Sequence, residues 1–369
     1  MSKYPLLTVN HEALKSNMTQ VVSWCREAGI DVAGVIKVSS GMPSFALDYE
    51  ACGAKWIASS RLEQLQRARD AGVKIPLMMI RVPMLSEIEE MIEVCDYSLE
   101  SEFAAIKAIE EAAAHTGKSH NVILMADLGD LREGFFELEE LVDVAKYVED
   151  KCDFVHLAGI GTNLGCYGSV MPTKEKMEQL VSYAEAIERA IGRQLEIISG
   201  GATSSLMPLF DGVMPERVNM LRIGAISACG PKEDLRTAYG RTEVDCMRDD
   251  AFTLEAELIE LRTKATHPIG QLGVDAFGQK PKYKDRGMRR RALIAIGRVD
   301  YGDTGDLFPE TPGAEIVGAS GDHTIVDIED CKEIIRVGDI MRFKLCYSSI
   351  MRLTASENVK IKEVGQTEI

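Results

Sequence analysis

The sequence predicts an α/β protein in two parts: a (β/α)8, or TIM, barrel over residues 1–235 and a mostly β domain over residues 236–369. Three observations carry this. Eight short apolar runs alternate with amphipathic helical stretches over the first about 235 residues, the signature of parallel βαβ units. No Gly-x-Gly-x-x-Gly opens the first helix, which favours a closed barrel over an open doubly wound sheet. Beyond about residue 240 the apolar period changes from helical spacing to strict alternation, the mark of half-buried antiparallel strands.

In chain order, Leu14, Met18, Val21, Val22 and Cys25 recur at helical spacing and predict a helix over 11–28. Strands are expected at 32–38, 56–58, 76–80, 96–99, 121–126, 154–160, 195–198 and 218–223. Helices are expected near 43–52, 61–71, 84–93, 101–115, 137–149 and 173–191. In the second part, 253–262, 291–297, 314–318, 323–327, 340–346 and 358–363 read as strands, with Gly-rich turns at 302–305 and 318–321. The N-terminal stretch, residues 4–9 within the first ten, is a candidate to pair with this second domain.

Bulk properties narrow the function. A net charge of −16 disfavours a nucleic-acid or anionic-membrane partner. No apolar run reaches membrane-spanning length, and Met1-Ser2-Lys3-Tyr4-Pro5 has no apolar signal core, so a cytoplasmic location is expected. The nine cysteines are scattered without a Cys-x-x-Cys pair and the six histidines do not cluster, so neither a disulfide framework nor a metal site is expected.

The chemistry gathers at strand ends. In a (β/α)8 barrel catalytic groups sit where strands end, and Lys37, Asp127, Asn163, Thr203 and Arg222 all fall at or just past such ends. Asp31 to Val38 is a β-branched run that meets a lysine, Lys37, close to its exit. A buried ammonium is costly unless paired or neutralised, and a Schiff base to an aldehyde cofactor is one solution. The bland alternative is a lysine that snorkels to water. Ser199-Gly200-Gly201-Ala202-Thr203-Ser204 is a small-residue loop whose amides and hydroxyls suit a phosphate.

Together these segments resemble the alanine-racemase type of pyridoxal-phosphate (PLP) enzyme, a barrel followed by a β domain, most closely its ornithine racemase branch. The resemblance covers essentially the whole chain. It implies that Lys37, in Ile36-Lys37-Val38, carries PLP and acts as a base on one substrate face. Asp127-Leu128-Gly129-Asp130-Leu131-Arg132-Glu133-Gly134 matches the family's Asp-x-Gly-x-x-Arg-x-Gly segment and implies Arg132 near the cofactor and the substrate carboxylate. The alternative is a surface ion pair between Arg132 and a neighbouring acid. Asn163, in Gly159-Ile160-Gly161-Thr162-Asn163, stands where the family usually has a ring-stacking histidine. Thr203, Ser204, Gly224 and Ala225 would hold the phosphate. Arg222, in Met220-Leu221-Arg222-Ile223, would face the pyridine nitrogen. An arginine there does not protonate that nitrogen, which suits racemisation better than transamination.

The family's second acid/base is a tyrosine from the partner subunit's β domain, and this chain has Phe277 at the aligned place. Asp275, Tyr283, Asp322 and His323 are the ionisable candidates nearby, and the residues do not choose among them. Glu357 stands where alanine-specific members carry a mouth-lining tyrosine; a carboxylate there would admit a longer cationic side chain. The implied protein is a homodimeric racemase of ornithine or another basic amino acid. Rival readings are an alanine or broad-spectrum racemase, a decarboxylase or lyase on the same scaffold, and a PLP-binding homeostasis protein. Arg222 argues against a decarboxylase, and the second domain argues against the homeostasis protein.

Overall fold

The chain leads with a short strand, β1 (Leu6–Asn10), and a helix, His11–Glu27, before eight parallel strands that close on themselves. They are β2 (Asp31–Val35), β3 (Trp56–Ser59), β4 (Leu77–Met79), β5 (Tyr97–Glu100), β6 (His120–Met125), β7 (Val155–Gly161), β8 (Ile197–Ser199) and β9 (Met220–Ile223). β9 pairs with β2 over Asp31–Gly34, so the ring has no free edge. This computed structural model describes residues 3–366; the first two residues of the N-terminal stretch lie outside them.

The barrel closes because its interior is filled. Ala33, Val35, Ala58, Met78, Leu99, Ile123, Met125, Ala158, Ile197 and Met220 pack inside it, all buried. Small residues on β2, β3 and β7 face methionines and branched chains on the others, so the taper fills without a pore. Outside β2 and β9, the apolar stripe Val21, Val22 and Cys25 of the first helix meets Val32, Leu221 and Ile223. Side chains alternate along a strand. Ser199 and Arg222, each two residues beyond an interior position, therefore share the interior face at the tops of β8 and β9.

The chain divides into two compact units. The barrel unit is Leu14–Ser227 with Asp234–Met247; the other takes the residues up to Ala13, Ala228–Glu233 and Arg248–Ile369. The second unit is one eight-stranded sheet. Its strands are β1 with β10 (Phe252–Ala265), β11 (Met288–Ile294), β12 (Leu307–Pro309), β13 (Glu315–Ala319), β14 (Thr324–Asp327), β15 (Ile340–Leu345) and β16 (Lys360–Val364). The order β12-β15-β10-β11-β14-β13 is antiparallel throughout. β1 pairs antiparallel with β10 and parallel with β16.

One element differs from expectation where it matters. The sequence reads as strand through residue 38, but β2 stops at Val35 and Ile36–Ser39 wind into a 3₁₀ turn. The Ser39 hydroxyl donates to the Ile36 carbonyl at 2.9 Å, and Ser40 adopts a left-handed conformation that ends the turn. Lys37 therefore leaves from a turn above the strand. β12 and the short helices Arg298–Tyr301 and Tyr347–Leu353 carried no periodic signal and are additions.

Candidate active site

Two loops and two strand ends build the barrel mouth. The loop after β6 folds on Asp127, whose Oδ1 accepts the backbone N–H of Gly129 at 2.8 Å and of Leu131 at 3.1 Å. Phe135 returns to bond Met125 and Asp127 through the backbone, closing the loop at its base. Gly134 is required there: its φ is +131°, and a Cβ would stand 2.4 Å from the Asp127 nitrogen. The spacing from Asp127 to Gly134 is thus that of a closed loop, with Arg132 and Glu133 just before the closure.

Asp130 ties this loop to the one after β7. Its buried carboxylate accepts N–H groups from Gly165 at 3.0 Å, Tyr167 at 3.0 Å and Val170 at 3.4 Å. Burial alone would raise this carboxyl, but the backbone donors outweigh it and hold it below the usual carboxylate range.

At the top of β9 the Arg222 guanidinium is buried. It donates to the Ser199 hydroxyl at 2.5 Å, the Thr162 carbonyl at 2.9 Å and Asn163 Oδ1 at 3.4 Å. No carboxylate pairs with it among the described residues. Burial lowers it to about 10. Lys37 is half-buried, and its ammonium is lowered by that burial first. Cys166 and Glu133 act against the shift, whereas Arg132 and Arg222 add to it. The lysine is therefore shifted toward its neutral, nucleophilic form. Gly224 ends β9 against β2; a Cβ there would lie 2.6 Å from the Val35 carbonyl oxygen.

Thr203 and Ser204 lie on a 3₁₀ turn, Thr203–Ser205, that runs into a helix of only five residues, Leu206–Phe210. Ser204 donates to the Leu164 carbonyl at 3.1 Å. Ala225 starts the helix after β9, Ala225–Cys229. Lys37, Arg132, Asn163, Thr203, Ser204, Arg222, Gly224 and Ala225 thus all belong to the C-terminal ends of the barrel strands. Arg132 itself is engaged by its neighbour: Nε pairs with Glu133 Oε2, and the guanidinium donates to Oε1 at 2.6 Å.

The remaining candidates are on the other unit. Asp275 is a turn residue, its Oδ1 accepting Phe277 N–H at 2.9 Å and Gln279 N–H at 2.8 Å. Phe277 stacks under the Arg298 guanidinium at 4.0 Å. Tyr283 is exposed and edge-on to His267. Asp322 and His323 sit exposed in the turn between β13 and β14. Glu357 is exposed ahead of β16. Sequence reasoning assigned no role to Cys166 and Glu133, although both act on Lys37. The signal was present for each: Glu133 directly follows Arg132, and Cys166 follows Asn163 by three.

The site fits PLP on its own geometry. The Asn163 side-chain nitrogen is buried without a hydrogen-bond partner. It sits beside an arginine that has no anion, in a mouth that also holds a lysine shifted toward neutrality. These are an unmet donor, a cation without a counterion and an amine, for a ring acceptor, an anion and an aldehyde.

Comparison with known proteins agrees. Residues 9–229 match the family model for the alanine racemase N-terminal domain. The chain belongs to the alanine racemase family, whose members are PLP-dependent amino-acid racemases. An ornithine racemase from Acetoanaerobium sticklandii is 37% identical over 97% of this chain and 99% of the relative. A lysine racemase from Thermotoga maritima is 36% identical over 97% and 98%. The fold matches alanine racemase from Streptomyces lavendulae with a TM-score of 0.76 at 17% identity, covering 100% of this chain and 99% of that one. The chain is accordingly an isomerase that interconverts the two configurations of an amino acid with PLP.

Proposed function

We propose that the substrate is a basic amino acid, ornithine or lysine, and that the working protein is a cytoplasmic homodimer with its sites at the subunit interface. The observation that carries the substrate reading is the pair of relatives, both matched nearly end to end and both named for basic amino acids. No helix among the described residues is long and apolar enough to cross a membrane. Large apolar side chains on the barrel-mouth loops, Leu131, Phe136 and Tyr167, are 64%, 59% and 71% exposed, as expected of a surface that a partner covers.

Lys37 would carry PLP, and Thr203, Ser204, Gly224 and Ala225 would hold its phosphate. Arg222 and Asn163 would donate to its ring. When bound, PLP supplies an electron-withdrawing ring that makes the substrate α-proton acidic. Lys37, shifted toward its neutral form by burial, is suited to accept that proton on one face. Arg132 provides a permanently charged fork for the substrate carboxylate. Arg222, held by Ser199 and Thr162, would donate a hydrogen bond to the ring without giving up a proton, which would limit charge withdrawal into the ring and favour prompt return of the proton. The second face needs another acid/base, and Asp275, Tyr283, Asp322 and His323 stand as its candidates, from the partner subunit.

Borohydride reduction of the purified protein followed by peptide mass spectrometry should find a pyridoxyl group on Lys37. L-ornithine or L-lysine should lose optical rotation and gain α-deuterium from D2O. Lys37→Ala should cut the rate by at least about 10³-fold, in line with loss of a covalent anchor and a base together. Deuterium uptake with retained configuration would refute two-faced chemistry, and the lack of a pyridoxyl label would refute the assignment of Lys37.

A further inference from the structure

We infer that Glu133 selects the substrate by exchanging partners: the substrate carboxylate takes Arg132 from it, and the distal ammonium of a dibasic amino acid takes its place. This deepens the proposed reading and rests on it.

The starting point is charge accounting at the mouth. Lys37, Arg132 and Arg222 bring three cationic groups together, and Glu133 is the carboxylate that acts on all three. The two arginines stay charged at any working pH. Glu133 is the more buried member of its ion pair, 20% exposed against 42% for Arg132. Both of its oxygens are committed to the guanidinium. The closed loop fixes the pair between Asp127, which holds the residues before it, and Gly134 and Phe135 behind it.

An amino acid bound at this mouth brings a carboxylate, and Arg132 is its natural fork. Glu133 holds the Nε/Nη2 edge of that guanidinium, and a substrate carboxylate that takes this edge strips Glu133 of its partner. A half-buried carboxylate left alone is penalised heavily, more than its pairing had gained. A neutral amino acid leaves that penalty standing. A basic amino acid removes it, because its side-chain ammonium supplies a new cation. Preference for ornithine or lysine then arises from the unmet charge in the wrong complex as much as from attraction in the right one. Glu357, exposed on the other unit, is not needed for this discrimination.

The competing role for Glu133 is a static brace that only orients Arg132. The two differ in coupling. The test measures kcat/KM for ornithine and for norvaline, the same chain without the distal amine, in the wild-type holoenzyme and in Glu133→Gln. Partner exchange predicts that the ornithine-to-norvaline ratio falls at least about 30-fold in Glu133→Gln, mostly through KM for ornithine. Glu133→Asp, which keeps the charge, should retain most of the preference. Equal losses for both substrates, with the ratio kept within threefold, would overturn the exchange in favour of the brace. A wild-type enzyme that racemises neither ornithine nor lysine would instead overturn the substrate reading itself, and the inference with it.

Discussion

Glu100 closes β5 with both carboxylate oxygens buried and without a hydrogen-bond partner. It faces away from the barrel interior, on the same side as Ser98, whose hydroxyl meets His120 Nε2 at 2.9 Å. Burial pushes its carboxyl from the usual 4.5 to about 8, so the folded protein keeps a proton that the unfolded chain has released. The sign follows. Stability from the neutral form is intact below pH 4.5, declines as pH rises toward 8, and is flat above. At about 1.4 kcal/mol per pH unit, the rise from 4.5 to about 8 makes the decline of order 5 kcal/mol. Glu100→Gln should therefore be more stable than wild type at pH 8 and nearly equal to it at pH 4.5, checked by urea melts at both. A wild-type difference that does not change with pH would show Glu100 to be ionised in the folded state. Nothing in the sequence marked this residue: a glutamate at a strand end normally reaches water.

Among elements, the loops after β6 and β7 depend on one another through Asp130. Three backbone N–H groups of the second loop end on that carboxylate. Asp130→Ala should free them at a local cost of about 1–3 kcal/mol, and hydrogen exchange at Gly165, Tyr167 and Val170 should speed by roughly tenfold or more while the barrel strands keep their protection. Unchanged exchange would mean that the second loop holds itself. The loop after β6 was legible in the sequence because backbone demands fix its residues: Gly134 has no substitute at φ +131° against Asp127. The turn bearing Lys37 was less legible. Ile36 and Val38 are β-branched residues that read as strand, and the turn is decided by Ser39, Ser40 and Gly41 bonding back to Ile36 and Lys37. The place of Glu133 beside Arg132 was legible, but its weight was not. Its partner is its own neighbour, and an adjacent Arg-Glu pair looks like ordinary surface until burial shows which cations share it.

The molecule as a whole was legible where periodicity is long. Eight alternating units predicted the closed barrel, and the change to period two located the sheet that follows. The short β12 carried no such pattern. Apolar exposure at the barrel mouth leads to a prediction at this scale. Light scattering should give a mass near twice the 40.6 kDa of one chain, and Tyr167→Glu or Phe136→Glu should shift it toward one. Single-chain mass in wild type at micromolar concentration would refute the dimer.

β1 lies between β10 and β16, with Leu7 and Val9 fully buried. Its neighbours are separated from it by about 240 and 350 residues of chain. This strand stays unpaired until the residues of β10 and β16, so much later in the chain, are present. Late closure of this kind carries a large loop entropy. The β unit is therefore not a module that a gene fusion could transplant. A cut near residue 235 would leave β10 and β16 with open edges facing each other across a missing strand, an invitation to pair with another chain.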